Sequence, residues 1–228
     1  MAEAKIISLP RGNRPQKAPT VGRLRLTKIR LILSFLRRMI PVPAHLADRT
    51  GPLLITVSRL IKAAAYEEAL ALSHEGIQCC GQSKDAKLRR RWWQFLSCAV
   101  YSAEMLARTE EREKLIALAE ACPLREKGHS VAYCLSHFSR WRYAERDYGT
   151  AIAYADMACE ADSTFAEAHF LLGWYALFIR QADPTDHFRS AVEKDPRYLE
   201  RISRDPELSG FPHIIQKLRQ PRLLSRAT

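Results

Sequence analysis

Ala166-Glu-Ala-His-Phe-Leu-Leu-Gly173 is the stretch of sequence that decides the fold, because its pattern occurs once before in the chain. Residues 132–165 can be laid over residues 166–198 with a single gap. A period of about 34 residues is typical of arrays of helix–turn–helix units. The repeat therefore predicts a helical scaffold that binds something, rather than a catalyst, and it leaves open what is bound.

Both units resemble the tetratricopeptide repeat, in which small residues let two helices of a hairpin approach closely. The residues that carry the resemblance are Leu172, Gly173, Phe188, Ala191 and Pro196 in the second unit, and Tyr148, Ala151 and Ala158 in the first. Ser139 stands where the family has glycine, and Arg142 and Ala176 stand where it has an aromatic residue. The resemblance implies a non-catalytic scaffold or adaptor for protein–protein interaction.

Two more units precede these. Residues 50–82 carry Ala65-Tyr66-Glu-Glu-Ala-Leu70, an opening that is common in the second helix of the family's hairpins, and residues 83–125 read as a helical hairpin. Residues 199–218 resemble the closing segment of bacterial arrays, and residues 219–228 form a tail. The resemblance therefore implies a right-handed α-solenoid over residues 48–218, with three to four hairpins and a C-terminal capping helix.

Composition agrees with an all-α fold. The chain has 228 residues, of which 47% are hydrophobic, and no run of alternating β-branched residues is present. The six cysteines form no spaced framework, which fits buried thiols in a reducing compartment. No secretory signal and no stretch of about 20 apolar residues is found, so we expect a cytoplasmic protein.

The net charge is concentrated at the N-terminus. Residues 1–47 hold ten Lys or Arg and one acid, so nine of the eleven net positive charges lie on this arm. Residues 24–40 predict an amphipathic basic helix, which must end at Pro41. Its cationic residues, with those just before it, are candidate contacts for an anionic partner: Arg23, Arg25, Arg30, Arg37 and Arg38.

Four roles for the arm remain open at this point. Its helix could pack on the first hairpin as a cap, or insert into a partner's groove. It could also contact an anionic membrane surface or neutralise nucleic-acid phosphates. The last role could be shared by Arg89, Arg90 and Arg91, which precede Trp92 and Trp93, although two Trp at this spacing more often form solenoid core. A nucleic-acid-associated module is therefore the alternative function.

No catalytic or cofactor motif is found. Cys134 and His137 could share a helix face, but no second pair completes the four ligands that a zinc site needs. We expect no metal and no cofactor. Self-association into a homo-oligomer stays open.

The resemblance implies a partner site on the first helix of each hairpin. The residues concerned are Tyr133, Ser136, His137, Arg140 and Tyr143 in the first unit, and Phe170 and Trp174 in the second. The family's clamp for C-terminal carboxylates is absent, because Ser136, Arg140, Glu167 and Leu171 stand at its positions. For Phe170 and Trp174, two interpretations compete: either the C-terminal helix around Ile214 folds over them, or a hydrophobic partner helix does.

Overall fold

The computed structural model describes residues 47–81, 85–122 and 126–220, which all belong to one compact unit. Within these ranges the chain is entirely helical, which confirms the all-α fold class. The elements are α1 (Ala47–Lys62), α2 (Tyr66–Cys80), α3 (Ala86–Met105), α4 (Thr109–Glu120), α5 (His129–Ala144), α6 (Tyr148–Ala161), α7 (Ala166–Phe178), α8 (Thr185–Lys194), α9 (Arg197–Arg204), a single 3-10 turn (Leu208–Gly210) and α10 (Pro212–Arg219). The predicted helix 24–40 and the arginines of the arm lie outside the described residues.

The helices pack in consecutive pairs, and the first helices of the pairs also form a row. α1 contacts α2, α3 contacts α4, α5 contacts α6, and α7 contacts α8. In addition, α1 contacts α3, α3 contacts α5, and α5 contacts α7. Each pair thus buries its apolar faces against the next pair, as a stacked helical array requires.

One backbone conformation recurs in the turn inside each pair. Ala64, Ala107, Arg146 and Gln181 all have a positive φ, between 51° and 67°. In the first three turns, the amide of the residue after the positive-φ residue donates to the carbonyl five positions earlier, as Ala65 does to Leu60 at 2.9 Å. This is the Schellman arrangement, which ends a helix by satisfying its last carbonyls. The chain therefore reverses in a similar way after α1, α3 and α5.

Aromatic side chains fill the space between neighbouring pairs. Trp92 and Trp93 are 5% and 1% exposed, and their rings meet edge to face with centroids 5.1 Å apart. Their prediction as core residues is therefore confirmed. Phe95 of α3 lies against Gly76 of α2, where a Cβ atom would come within 2.4 Å of the ring, so only glycine allows this approach.

The C-terminal segment differs from the single closing helix that the sequence predicted. It consists of α9, the 3-10 turn and α10. The break comes at Asp205, whose carboxylate accepts hydrogen bonds from the amides of Glu207 at 2.9 Å and Leu208 at 3.3 Å, and Pro206 cannot continue a helix. Buried residues of this segment join the core of α6, α7 and α8, namely Ile202, Leu208, Ile214 and Leu218.

A buried serine ties three helices together. The Ser139 hydroxyl of α5 donates to the Ala151 carbonyl of α6 at 2.7 Å and lies 2.8 Å from the Tyr175 hydroxyl of α7. Both side chains are almost fully buried. Ser139 therefore supplies a polar bond between helices.

We expect Ser139→Ala to lower the free energy of unfolding by about 1–2 kcal/mol, because it leaves a buried carbonyl and a buried phenol without their partner. Chemical denaturation measures the loss. Tyr175→Phe is the matched control for the second bond, and the double variant should lose less than the sum of the two single losses. Additive losses would mean that the two hydroxyls do not interact.

Candidate binding groove

A cavity of about 700 Å³ lies between α5, the start of α7 and the start of α9. Its size falls within the range of small-molecule sites. The wall contains residues from α5, from the start of α7 and the turn before it, from the last residue of α8, and from the start of α9 and the turn before it: His129, Tyr133, Ser136, His137, Arg140, Thr164, Phe165, Ala166, Glu167, Lys194, Asp195, Pro196, Arg197, Tyr198 and Arg201. We call this cavity the groove.

Helical periodicity explains the contribution of α5. The groove residues of this helix, from His129 to Arg140, recur at intervals of three or four positions and so share one face. Over the eleven steps between them, the helix rises about 16 Å. The opposite face of α5 carries core residues such as Phe138, which is fully buried.

Glu167 is the electrostatic centre of the groove. Its carboxylate accepts hydrogen bonds from the Tyr198 hydroxyl at 2.6 Å and from the Arg201 guanidinium, and Arg140 approaches it to 3.9 Å. Burial alone would raise the pKa of Glu167, but Arg201, Tyr198 and Arg140 favour the ionised form and lower the pKa on balance. Glu167 therefore connects α5, α7 and α9 as a charged group.

Arg201 is held on two sides. Besides its bond to Glu167, its guanidinium lies 4.0 Å from the ring centroid of Phe170 and 5.2 Å from that of Tyr198. A guanidinium stacked on an aromatic face gains a cation–π attraction. These contacts hold the Arg201 side chain in the wall of the groove.

Two polar groups of α5 lack partners. The Ser136 hydroxyl is buried, with the residue 1% exposed, and no described group bonds to it. The same holds for Nδ1 of His137, whose ring lies 4.5 Å from that of Tyr133, centroid to centroid. Burial and the neighbouring charge of Arg140 lower the pKa of His137 to about 4, so its imidazole is neutral at pH 7. Buried polar groups of this kind normally have a protein, water or ligand partner.

Four of the predicted site residues meet in the groove, namely Tyr133, Ser136, His137 and Arg140. Tyr143 lies outside the groove wall and stacks on Tyr175 with centroids 5.4 Å apart. Phe170 and Trp174 are each 4% exposed and share a core with Ile214 of α10. The C-terminal segment therefore occupies the space that a partner helix would need, and these two rings are interior residues.

Sequence reasoning missed most of the groove wall. Lys194, Arg197, Tyr198 and Arg201 come from the segment that was assigned to the repeat's end and the cap. One signal was available: Arg201 follows Glu167 by 34 residues, one repeat length, and carries the opposite charge. Residues one period apart lie on adjacent first helices of the array and can pair across it.

Two of the three arginines predicted as anionic-partner contacts on α3 form contacts within the protein. Arg89 forms an ion pair with Glu126, and Arg91 donates a hydrogen bond to Thr50, whereas Arg90 is exposed. The same helix turns Trp92 and Trp93 into the core. This part of the chain therefore offers no stacking platform of the kind that single-stranded nucleic acid uses.

Within the described ranges, no group of three or more His, Cys, Asp or Glu residues could hold a metal ion. None of the described helices combines the length and the apolar character that a membrane crossing requires. Comparison with protein-family models, with curated proteins and with solved structures gives no match.

Proposed function

We propose that this protein is a non-catalytic scaffold or adaptor that binds a segment of a partner protein in the groove. We propose that it acts in this way as an assembly factor. The observation that carries the proposal is the pair of unpartnered polar groups, Ser136 and His137, in the wall of an accessible cavity. An unmade hydrogen bond at a buried hydroxyl costs about 1–3 kcal/mol, which a bound ligand would recover.

We further propose that the array is a right-handed α-solenoid of tetratricopeptide-like hairpins. Support comes from the row formed by α1, α3, α5 and α7, and from the positive-φ residue in each of four turns. Gly76 and Gly173 add to this support, because each admits a Phe ring at a distance that excludes any Cβ atom. In such an array the first helices line the concave face, where a peptide binds.

Site-specific photo-crosslinking of the full chain tests the proposed function. A photoreactive residue replaces Lys194, which lies in the groove wall, and in a matched control it replaces Lys114, which is exposed on α4 and outside the wall. We expect one protein to be captured through position 194 and not through position 114, with or without nuclease treatment.

The alternative function predicts a different result. If the chain is a nucleic-acid-associated module, capture through position 194 should fail or should disappear after nuclease treatment or in moderate salt. Equal capture through both positions would also contradict binding in the groove.

A further inference from the structure

The groove has more positive than negative charge. Four cationic side chains and two carboxylates line it, and the two histidines in its wall do not change this surplus while they are neutral. The cationic residues are Arg140, Lys194, Arg197 and Arg201, and the carboxylates belong to Glu167 and Asp195. An anionic group is therefore the complementary ligand.

Arg140 and Lys194 carry the surplus positive charge, because the other two cations are paired with the two carboxylates. Arg201 is bonded to Glu167, and Arg197 is held by Asp195 through contacts of 2.8–3.1 Å. Arg140 reaches its nearest acid only at 3.9 Å, and 44% of its side chain is exposed. A guanidinium has five N–H donors in a fixed fork, so most of the donors of Arg140 are still available to a ligand.

The two unpartnered groups lie next to this arginine. Ser136 and His137 precede Arg140 by four and three positions, so the three side chains are neighbours on one face of α5. The guanidinium and the hydroxyl donate, and Nδ1 of the imidazole donates in one of its two tautomers. A cluster of donors beside a cation is suited to an ionised carboxylate, which only accepts hydrogen bonds.

We propose that the groove receives the carboxylate of an Asp or Glu side chain, within an extended segment of the partner, against Arg140 and Ser136. This inference rests on the proposed function and specifies the chemistry of its ligand. Glu167 and Asp195 in the same wall would repel a polyanion such as nucleic acid, whereas a single carboxylate needs only one available arginine. The wall also extends about 16 Å along α5, enough for several residues of an extended chain to flank the acid.

Peptide binding to the full chain tests the inference. The probes are amidated octapeptides with an N-terminal fluorophore and no other charged residue, identical except at one central position, which is Glu in one peptide and Gln in the other. Fluorescence anisotropy at about 0.15 M salt, where charges are screened beyond about 8 Å, gives the dissociation constants. The basic arm is present in every variant, so a difference between variants reports the groove.

We expect Arg140→Gln to weaken binding of the Glu peptide about tenfold, because a charge-assisted hydrogen bond is lost. Arg90→Gln is the matched control: it removes the same charge from another exposed helical position and should change affinity less than about twofold. Ser136→Ala should weaken binding about threefold while leaving thermal stability unchanged or raised, since the hydroxyl has no partner in the free protein. A residue that only supports the fold would not separate affinity from stability in this way.

Three results would overturn the inference: no binding of the Glu peptide, equal losses in the variants at positions 140 and 90, or an unchanged affinity after Ser136→Ala. A Gln peptide with a free C-terminal carboxylate is a further probe. If it binds as tightly as the Glu peptide, the groove recognises the C-terminal carboxylate of a chain and not an acidic side chain. If these tests fail while position 194 still captures one protein, only the carboxylate inference is lost. If capture fails as well, the proposed function is lost with it.

Discussion

Gly173→Ala should destabilise the protein by about 2 kcal/mol, although alanine is the better helix former. Gly173 lies inside α7, where the exchange would gain about 1 kcal/mol from helix propensity alone. Its Cβ atom, however, would lie 2.6–3.0 Å from three ring carbons of Phe188. Phe188 is fully buried, so the ring cannot move into solvent, and α7 and α8 must separate. Overpacking costs typically about 1–3 kcal/mol, and contacts this short against a fully buried ring belong at the upper end of that range, so the net loss after the gain from propensity is about 2 kcal/mol.

Thermal denaturation measures the effect, and a loss of this size lowers the melting temperature by about 4–8 °C in a chain of this length. Gly149→Ala is the matched control, because its Cβ atom would meet nothing closer than the Asp147 carboxylate at 4.0 Å. That variant should be as stable as the parent or more stable by up to about 1 kcal/mol.

A second substitution tests the steric explanation itself. In a Phe188→Leu background the smaller side chain leaves room for a methyl group, so Gly173→Ala should cost less than in the parent. A Gly173→Ala variant that melts at or above the parent temperature would contradict the close approach of α7 and α8.

The helical class could be predicted from the sequence because apolar spacing and the 34-residue period are local signals. The turns were harder to predict. Helices usually end with a left-handed glycine, but here Ala64, Ala107, Arg146 and Gln181 adopt this conformation. A search for glycine finds none of these four ends, because the residues with positive φ are alanine, arginine and glutamine.

Only residues of the groove wall that belong to α5 were predicted as site residues. The resemblance to the repeat family named Tyr133, Ser136, His137 and Arg140, and helical periodicity explains why these positions share one face of α5. For Phe170 and Trp174 the sequence left two interpretations open, and only the fold shows that these buried rings share a core with Ile214, which lies about 40 residues later in the chain. Long-range contacts of this kind have no local sequence signature.

Glu167→Gln should lower the free energy of unfolding by about 1–3 kcal/mol. The substitution keeps an acceptor for Tyr198 but removes the charge that holds Arg201 and attracts Arg140. Removing one partner of a buried ion pair costs about 3–5 kcal/mol. The smaller figure applies here because Arg201 and Arg140 are each 44% exposed in their side chains, and water compensates part of the loss. Urea denaturation at pH 7 measures the difference.

The ionisation of Glu167 should also make the free energy of unfolding depend on pH. The folded pKa of Glu167 lies below its ordinary value of 4.5, so the folded protein binds fewer protons than the unfolded chain in this region. The stabilisation is therefore complete above the unfolded pKa and is lost as the pH falls through the folded pKa. Between pH 7 and the onset of acid unfolding, the parent should lose more stability than Glu167→Gln does.

Glu160→Gln is the control, because Glu160 is exposed on α6 and the substitution removes the same charge. Its stability should follow the parent at every pH within about 0.5 kcal/mol. If the parent and Glu167→Gln lose stability in parallel on acidification, Glu167 does not carry the pH dependence. In that case the ion pair with Arg201 would contribute nothing to the attachment of α9, which would depend on the Tyr198–Glu167 hydrogen bond, the stacking of Arg201 on Phe170 and the buried Ile202.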